Sequence, residues 1–269
     1  MIEFVDIQIT NKCNRKCLWC PPYRDSVIHR FNNIDIETVG KIVDIMNVYS
    51  YKFSNNLLIK IGRFGEPTLE PKLLFDVAFY IRKNLNIPYR FQLNTNGDTL
   101  EDVQDCVYEL FDDVYVSRYV DLEDKKKSLS RLLNRFNKSI KRFYFSDVKQ
   151  QVNIIIGNRP TLIKYRYQYH KVMSCTTRGG KLKFTDRGVN FIHTDIRASE
   201  CDILGKFMMF DWNGDIYPCC ELSSHYKDQE VMCCGNINRT SFEKIWTNIK
   251  DKRCGSMCKT CNASIECFR

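Results

Sequence analysis

Three thiols fall within eight residues at Cys13, Cys17 and Cys20, in the spacing Cys-x3-Cys-x2-Cys. The same spacing recurs at Cys254, Cys258 and Cys261. Three thiolates on one loop can hold three irons of a [4Fe–4S] cubane and leave the fourth iron without a protein ligand. An open position of that kind is where a metal site does chemistry rather than only bracing a fold. Zinc is the alternative, with His29, nine residues beyond Cys20, as the fourth ligand. The next cysteine after Cys20 is Cys106.

Fourteen cysteines in 269 residues is a high count. A secreted disulfide framework fits poorly, because such scaffolds are short and begin with a signal peptide. Here the N-terminal stretch MIEFVDIQIT carries two acids and no basic region. No run approaches the ~18 apolar residues of a membrane-spanning helix. A cytoplasmic protein that uses its thiols for metal or cluster binding is expected, with no membrane partner. The formal net charge is +9, and much of it lies in DKKKSLSRLLNRFNKSIKRF at 124–143. Leu129, Leu132, Leu133, Phe136, Ile140 and Phe143 recur there at helical spacing, so this reads as an amphipathic helix with a solvated basic face. A nucleic-acid partner is weighed on that face, and no other feature supports it.

The elements that must position the first cysteine cluster alternate. EFVDIQIT is a strand with Phe4, Asp6 and Gln8 on one face and Val5, Ile7 and Ile9 on the other. DIETVGKIVDIMNVY, KLLFDVAFYIRKNL and LEDVQDCVYELF read as helices, with Cys106 in the core of the last. NLLIKIGRF, YRFQLNTNG, DVYVSRY and QVNIIIG read as further strands. Regular βα alternation implies a parallel sheet, with ligands beyond the C-terminal ends of its strands. The cysteines, Gly65-Glu66-Pro67, Thr95-Asn96-Gly97 and Ser117 all follow or end strands. Past residue 180 the pattern changes. Asn213-Gly214 sits between strand-like flanks as a hairpin signal, and Thr240 with Glu243 forms a capping-box pattern before a short helix. Two domains are expected, at 1–180 and 181–269. The hairpin brings Cys201 and Cys219 to one end of a β-unit, and Cys258-x2-Cys261 completes a four-cysteine site suited to a [4Fe–4S] cluster or zinc.

Cys13-x3-Cys17-Leu18-Trp19-Cys20, with an aromatic residue before the last cysteine, resembles the signature of the radical S-adenosylmethionine (SAM) superfamily. The resemblance implies an α/β fold, a partial (β/α)6 TIM-like barrel. It also implies SAM chelating the open iron and cleaved to a 5′-deoxyadenosyl radical. GRFGEPTLEP resembles the family's Gly-Gly-Glu motif, which puts Gly65 and Glu66 beside the SAM ammonium, met by Glu66 or by backbone carbonyls. LNTNG resembles the third-strand motif and brings Asn96 near SAM. Ser117 resembles the polar fourth-strand residue, and NIIIG resembles the fifth-strand motif that packs Ile156 against adenine. Trp19 counts with these as a cofactor-side residue.

The second cysteine set resembles the SPASM/Twitch auxiliary-cluster domains appended to such barrels, and CGNINRTSFEKIW resembles their Gly-Asn-Ile and Trp-bearing helix. A small C-terminal β-hairpin plus helix Fe–S domain is therefore expected. Cys267 lies two residues from the last residue, which implies one auxiliary [4Fe–4S] cluster with Cys201, Cys219, Cys258 and Cys261 as ligands and Cys254 and Cys267 in reserve. Arg178 and Cys234 are catalytic candidates. Arg178 would fix substrate or the SAM carboxylate, and Cys234 would return a hydrogen atom to a substrate radical. The expected activity is hydrogen abstraction from a small-molecule or peptide substrate, as an oxidation with the auxiliary cluster accepting an electron, and with flavodoxin or ferredoxin as reductant. A redox-neutral epimerase or isomerase is the alternative, and a non-catalytic metal-binding module is the alternative of another class.

Overall fold

The computed structural model describes residues 1–15, 32–118, 151–156, 159–167, 203–219 and 233–251. The strands there are β1 (Ile2–Ile7), β2 (Phe53–Ile61), β3 (Tyr89–Thr95), β4 (Asp113–Arg118), β5 (Gln151–Ile156), β6 (Arg159–Tyr167), β7 (Phe207–Phe210), β8 (Asp215–Tyr217) and β9 (Gly235–Asn236). Among the described residues they form one open sheet in the order β5-β6-β4-β3-β2-β1-β7-β8-β9. β1, β2, β3, β4 and β6 pair in parallel, as βα alternation requires. The sheet is not a closed barrel.

Helix α1 (Ile36–Val48) starts where Asp35 accepts from the Thr38 N–H (2.6 Å). It buries Val39, Ile42, Val43 and Met46, while Ile36, the first residue of the helix, stays exposed. Helix α2 (Pro71–Asn84) opens on proline, whose missing N–H costs nothing in a first turn, and buries Leu74, Val77, Ala78 and Ile81. These residues meet Val5, Ile7, Ile59, Ile61, Phe91 and Leu93 in one hydrophobic core. The period of two along β1 is therefore real, with Phe4, Asp6 and Gln8 on the face away from the helices.

Four expectations change. LEDVQDCVYELF is not one helix: a 3-10 turn at Leu100–Asp102 precedes the short α3 (Asp105–Tyr108). Val103, Val107, Tyr108 and Phe111 take the buried positions, so Cys106 is exposed rather than core. The QVNIIIG strand is not the fifth parallel strand. It is β5, antiparallel to β6, and β6 is the strand beside β4. The two-residue link between β5 and β6 leaves room only for a hairpin. In the C-terminal part, helix α4 (Phe242–Asp251) begins at Phe242, and Ser241 Oγ accepts from the Lys244 N–H (3.4 Å), so Ser241 and not Thr240 caps it. Thr240 Oγ1 instead accepts from the Asn236 N–H (3.4 Å).

The Asn213-Gly214 hairpin forms as expected. Gly214 has φ +84°, and a Cβ there would meet Ile237 and Asn238 at 2.9 Å. Its strand β7 pairs parallel to β1, from Phe4↔Phe207 to Ile7↔Phe210, so the hairpin extends the barrel sheet. Met208, Phe210, Ile216, Ile245 and Ile249 join the same core. The expected boundary near residue 180 and the basic stretch at 124–143 lie outside the described residues.

Candidate functional site

The C-terminal ends of β1, β2 and β3 carry the candidate site. Beyond β1 the chain bridges to the segment before α1. Thr10 Oγ1 donates to Asn33 Oδ1 (2.7 Å), the Asn11 N–H donates to Asn32 O (3.2 Å), and the Asn32 N–H donates to Asn11 Oδ1 (2.7 Å). Both ends of the cysteine-bearing segment are thus pinned to each other. Cys13, half-buried, follows this clamp.

The turn after β2 reaches over to it. Gly65 has φ +108°, and a Cβ there would lie 2.2 Å from Thr10 O, so only glycine lets the chain pass this close. The Glu66 N–H then donates to Lys12 O (2.6 Å). The Glu66 carboxylate is buried and faces its own neighbours. Oε1 accepts from the Thr68 N–H (3.1 Å), Thr68 Oγ1 (2.5 Å) and Thr95 Oγ1 (2.7 Å), and Oε2 accepts from the Asn96 N–H (2.5 Å). Burial pushes its pKa up, and the Asn96 N–H and the two threonines pull it back. Glu66 therefore ties the ends of β2 and β3 together.

The turn after β3 completes the cradle. Asn96 Nδ2 donates to Asn14 Oδ1 (2.7 Å) and reaches Cys13 Sγ at 3.9 Å. The Arg15 N–H donates to the same sulfur at 3.4 Å. The Arg15 guanidinium grips Asp98 by two bonds of 2.5 and 2.7 Å, and Asn14 adds a third donor at 3.2 Å. Two donors on a sulfur favour its thiolate form, which is the form that binds iron. Cys13 thus fits a cluster ligand.

Of the expected site residues, Cys13, Gly65, Glu66 and Asn96 come together here. Ser117 lies in β4, one residue before its end and one past Val116, the partner of Thr95. Ile156 does not join them: it pairs with Arg159 at the start of β6, the end of the sheet away from Thr95. Trp19, Cys17, Cys20, Arg178, Cys201, Cys258 and Cys261 lie outside the described residues. Cys219 is buried just past β8. Cys234 is packed in the helix-side core, with its N–H donated to Ile216 O (2.8 Å). The Arg15–Asp98 clamp and the Thr68–Thr95 pair were not foreseen. A polar residue directly after Asn96-Gly97 was the only signal for Asp98, and a pairing across 83 residues leaves no local pattern.

Comparison with known proteins agrees with this arrangement. Residues 201–262 match SPASM, an iron–sulfur cluster-binding domain. The fold matches the crystal structure of BtrN in complex with AdoMet and 2-DOIA, with TM-score 0.67, 19% identity, and coverage of 98% of this chain and 94% of that one. It matches an open conformation of BtrN with TM-score 0.58, 16% identity, and coverage of 98% and 93%. It also matches anSMEcpe with bound AdoMet, with TM-score 0.52, 14% identity, and coverage of 95% and 88%. No curated protein matches the sequence. The C-terminal segment is therefore of the SPASM iron–sulfur type expected from its cysteines, and the whole chain has the fold of these AdoMet-binding structures.

Proposed function

We propose that the chain is a radical SAM oxidoreductase. Cys13, Cys17 and Cys20 hold an open [4Fe–4S] cluster that binds AdoMet, and Cys201, Cys219, Cys258 and Cys261 hold an auxiliary [4Fe–4S] cluster. The observation that carries the reading is the cradle around Cys13, where loops from three strand ends converge on one hydrogen-bonded sulfur. AdoMet in the BtrN and anSMEcpe structures and the SPASM match support it. With both clusters in place, bound AdoMet would supply on reduction the 5′-deoxyadenosyl radical chemistry for hydrogen abstraction, and the auxiliary cluster held by Cys201, Cys219, Cys258 and Cys261 would take up the remaining electron.

The chain's own residues hold that chemistry in place. Gly65 brings the turn after β2 against residues 10–12, and Glu66 locks that turn to Asn96. Because its carboxylate is occupied internally, Glu66 acts as a positioning residue, and backbone carbonyls of the same turn would take the AdoMet ammonium. Trp19, Asn96 and Ser117 stay on the cofactor side in this reading, and Ile156 leaves it because of its register. Arg178 remains a candidate contact to substrate or to the AdoMet carboxylate. Oxidation is favoured over a redox-neutral route because Cys234, the thiol that would return a hydrogen atom, is buried in the helix-side core. The reductant is a flavodoxin or ferredoxin.

Anaerobic reconstitution should load about eight irons per chain. Dithionite and AdoMet should then give 5′-deoxyadenosine. Cys13→Ala should lose about half the iron and all cleavage. A zinc-rich protein that leaves AdoMet intact would instead establish a non-catalytic metal-binding module, and a redox-neutral product would establish an epimerase or isomerase.

A further inference from the structure

Asp98 closes a ring of hydrogen bonds beside the first cysteine. Asn96 Nδ2 donates to Asn14 Oδ1 (2.7 Å), Asn14 Nδ2 donates to Asp98 Oδ2 (3.2 Å), and the Asp98 N–H returns to Asn96 Oδ1 (2.9 Å). Arg15 grips the same carboxylate with Nε on Oδ2 (2.5 Å) and Nη2 on Oδ1 (2.7 Å). Asn96 is the fixed member of the ring, because its N–H donates to the buried Glu66 Oε2 (2.5 Å). Asn14 and Arg15 are the members that need fixing. They lie on the loop that leaves Cys13, and Cys17 follows two residues after Arg15. An ion pair near solvent adds little to global stability. This one is two-pronged, and its side chains are only 20% and 23% exposed. A fork of that kind fixes direction as well as distance. The groups it fixes are the Arg15 N–H, 3.4 Å from Cys13 Sγ, and the Asn96 amide, 3.9 Å from the same sulfur.

We propose that Arg15 and Asp98 are positioning residues for the first cluster: their pair aims the Arg15 and Asn96 N–H groups at Cys13 Sγ and so raises the reduction potential of the iron–sulfur cluster held there. This rests on the radical SAM reading above and adds how this chain tunes that cluster. Hydrogen bonds to the ligating sulfurs are among the settings of an iron–sulfur potential. Reduction adds negative charge to the cluster. An N–H aimed at a sulfur stabilises that charge, so the two donors favour the reduced form. Partners outside the ligand shell act in this way through the ligand, without touching the metal. Paired, Arg15 and Asp98 carry no net charge, so their effect on the cluster comes from geometry. Removing Asp98 distinguishes the two ways such a pair could act. If the Arg15 charge acted directly, losing Asp98 would unmask it and raise the potential. If the pair aims donors, losing Asp98 releases the loop and lowers the potential.

The test is a redox titration of the anaerobically reconstituted full chain, following by electron paramagnetic resonance the reduced-cluster signal that Cys13→Ala abolishes. At a fixed potential, Asp98→Ala should raise the oxidised-to-reduced ratio about tenfold, a midpoint lower by about 59 mV for one electron. Arg15→Lys keeps the charge but loses the fork, and its midpoint should fall in the same direction. The exchanged pair, Arg15→Asp with Asp98→Arg, restores an ion pair and should bring the midpoint back toward wild type. A midpoint unchanged or raised in Asp98→Ala overturns the proposal, and so does an exchanged pair no closer to wild type than Asp98→Ala. A merely structural pair would lower iron content or Tm and leave the midpoint of the loaded fraction where it was, which also overturns it. If Asp98→Ala takes up no cluster, Arg15→Lys carries the comparison, and an unchanged midpoint there overturns the proposal. AdoMet cleavage by the same wild-type preparation separates the two readings. Cleavage with no midpoint shift in the variants removes the tuning role alone, and a midpoint shift without cleavage removes the radical SAM assignment alone.

Discussion

Glu66→Gln isolates what the buried carboxylate does. In the wild type one oxygen takes three donors and the other takes the Asn96 N–H, four bonds in all. A carboxamide has one oxygen and one donating nitrogen. With its oxygen toward the threonines, its NH2 faces the Asn96 N–H. Flipped, its oxygen meets Asn96 but its NH2 faces the Thr68 N–H. The threonine hydroxyls can rotate to accept, but a backbone N–H cannot. Either orientation leaves one buried N–H unmade, at a cost of about 1–3 kcal/mol. Part returns because a neutral amide avoids the desolvation that pushes the Glu66 pKa up. The net loss should be about 1–2 kcal/mol, a Tm lower by about 2–6 °C. Global stability alone would not locate the effect, so the decisive assay is amide hydrogen exchange on cluster-loaded protein. Protection at Thr68 or Asn96 should fall about tenfold or more while α2 amides stay as they are, since about 1.4 kcal/mol of local opening is a factor of ten. Unchanged protection at both amides would refute the brace and return Glu66 to the role of a cofactor contact.

Two further outcomes follow from the same geometry. Gly65→Ala should be worse than Glu66→Gln, because a Cβ 2.2 Å from Thr10 O forces the turn off β1, and iron retention after desalting should drop with it. Asp211, buried beside Asp215, has its pKa pushed up to about 7 from an ordinary 3.8, although the Trp212 N–H works against the shift. A carboxyl with a raised folded pKa favours folding while protonated, so its contribution is present below pH ~4 and is lost as pH rises through ~7. Three units at 1.36 kcal/mol each put the swing at about 4 kcal/mol. Asp211→Asn should therefore gain stability over wild type between pH 5 and 8 in urea unfolding, and equal slopes against pH in the two proteins would contradict the shift.

Much of this was legible along the chain. Period-two alternation in β1 told which residues face the helices, and Asn213-Gly214 told where the hairpin turns. The spacing of Cys13, Cys17 and Cys20 points to a cluster loop by itself, and of the three the structure places Cys13, in the cradle with Asn96 and Arg15. The later cysteines pointed to an iron–sulfur domain, which the SPASM match at 201–262 supports. These features are local: a period, a turn or a spacing is decided by residues a few positions apart.

Tertiary structure decided the rest. QVNIIIG looks like any buried strand, and only pairing with β6 makes it an antiparallel strand that carries Ile156 to the opposite end of the sheet. Cys106 sits inside an apolar run, but Val103, Val107 and Phe111 win the core and turn it outward. Glu66 reads as a cofactor contact until Thr95 and Asn96, 29 and 30 residues away, are folded against it and fill its acceptors. Strand alternation put Asp6 and Gln8 on one face, but that Tyr217 shares this face, two strands from Asp6, follows from β7 pairing with both β1 and β8. The physical reason is the same each time. A residue's chemistry belongs to its side chain, but its role depends on which hydrogen bonds are already taken, and those partners are chosen only when distant strands pair.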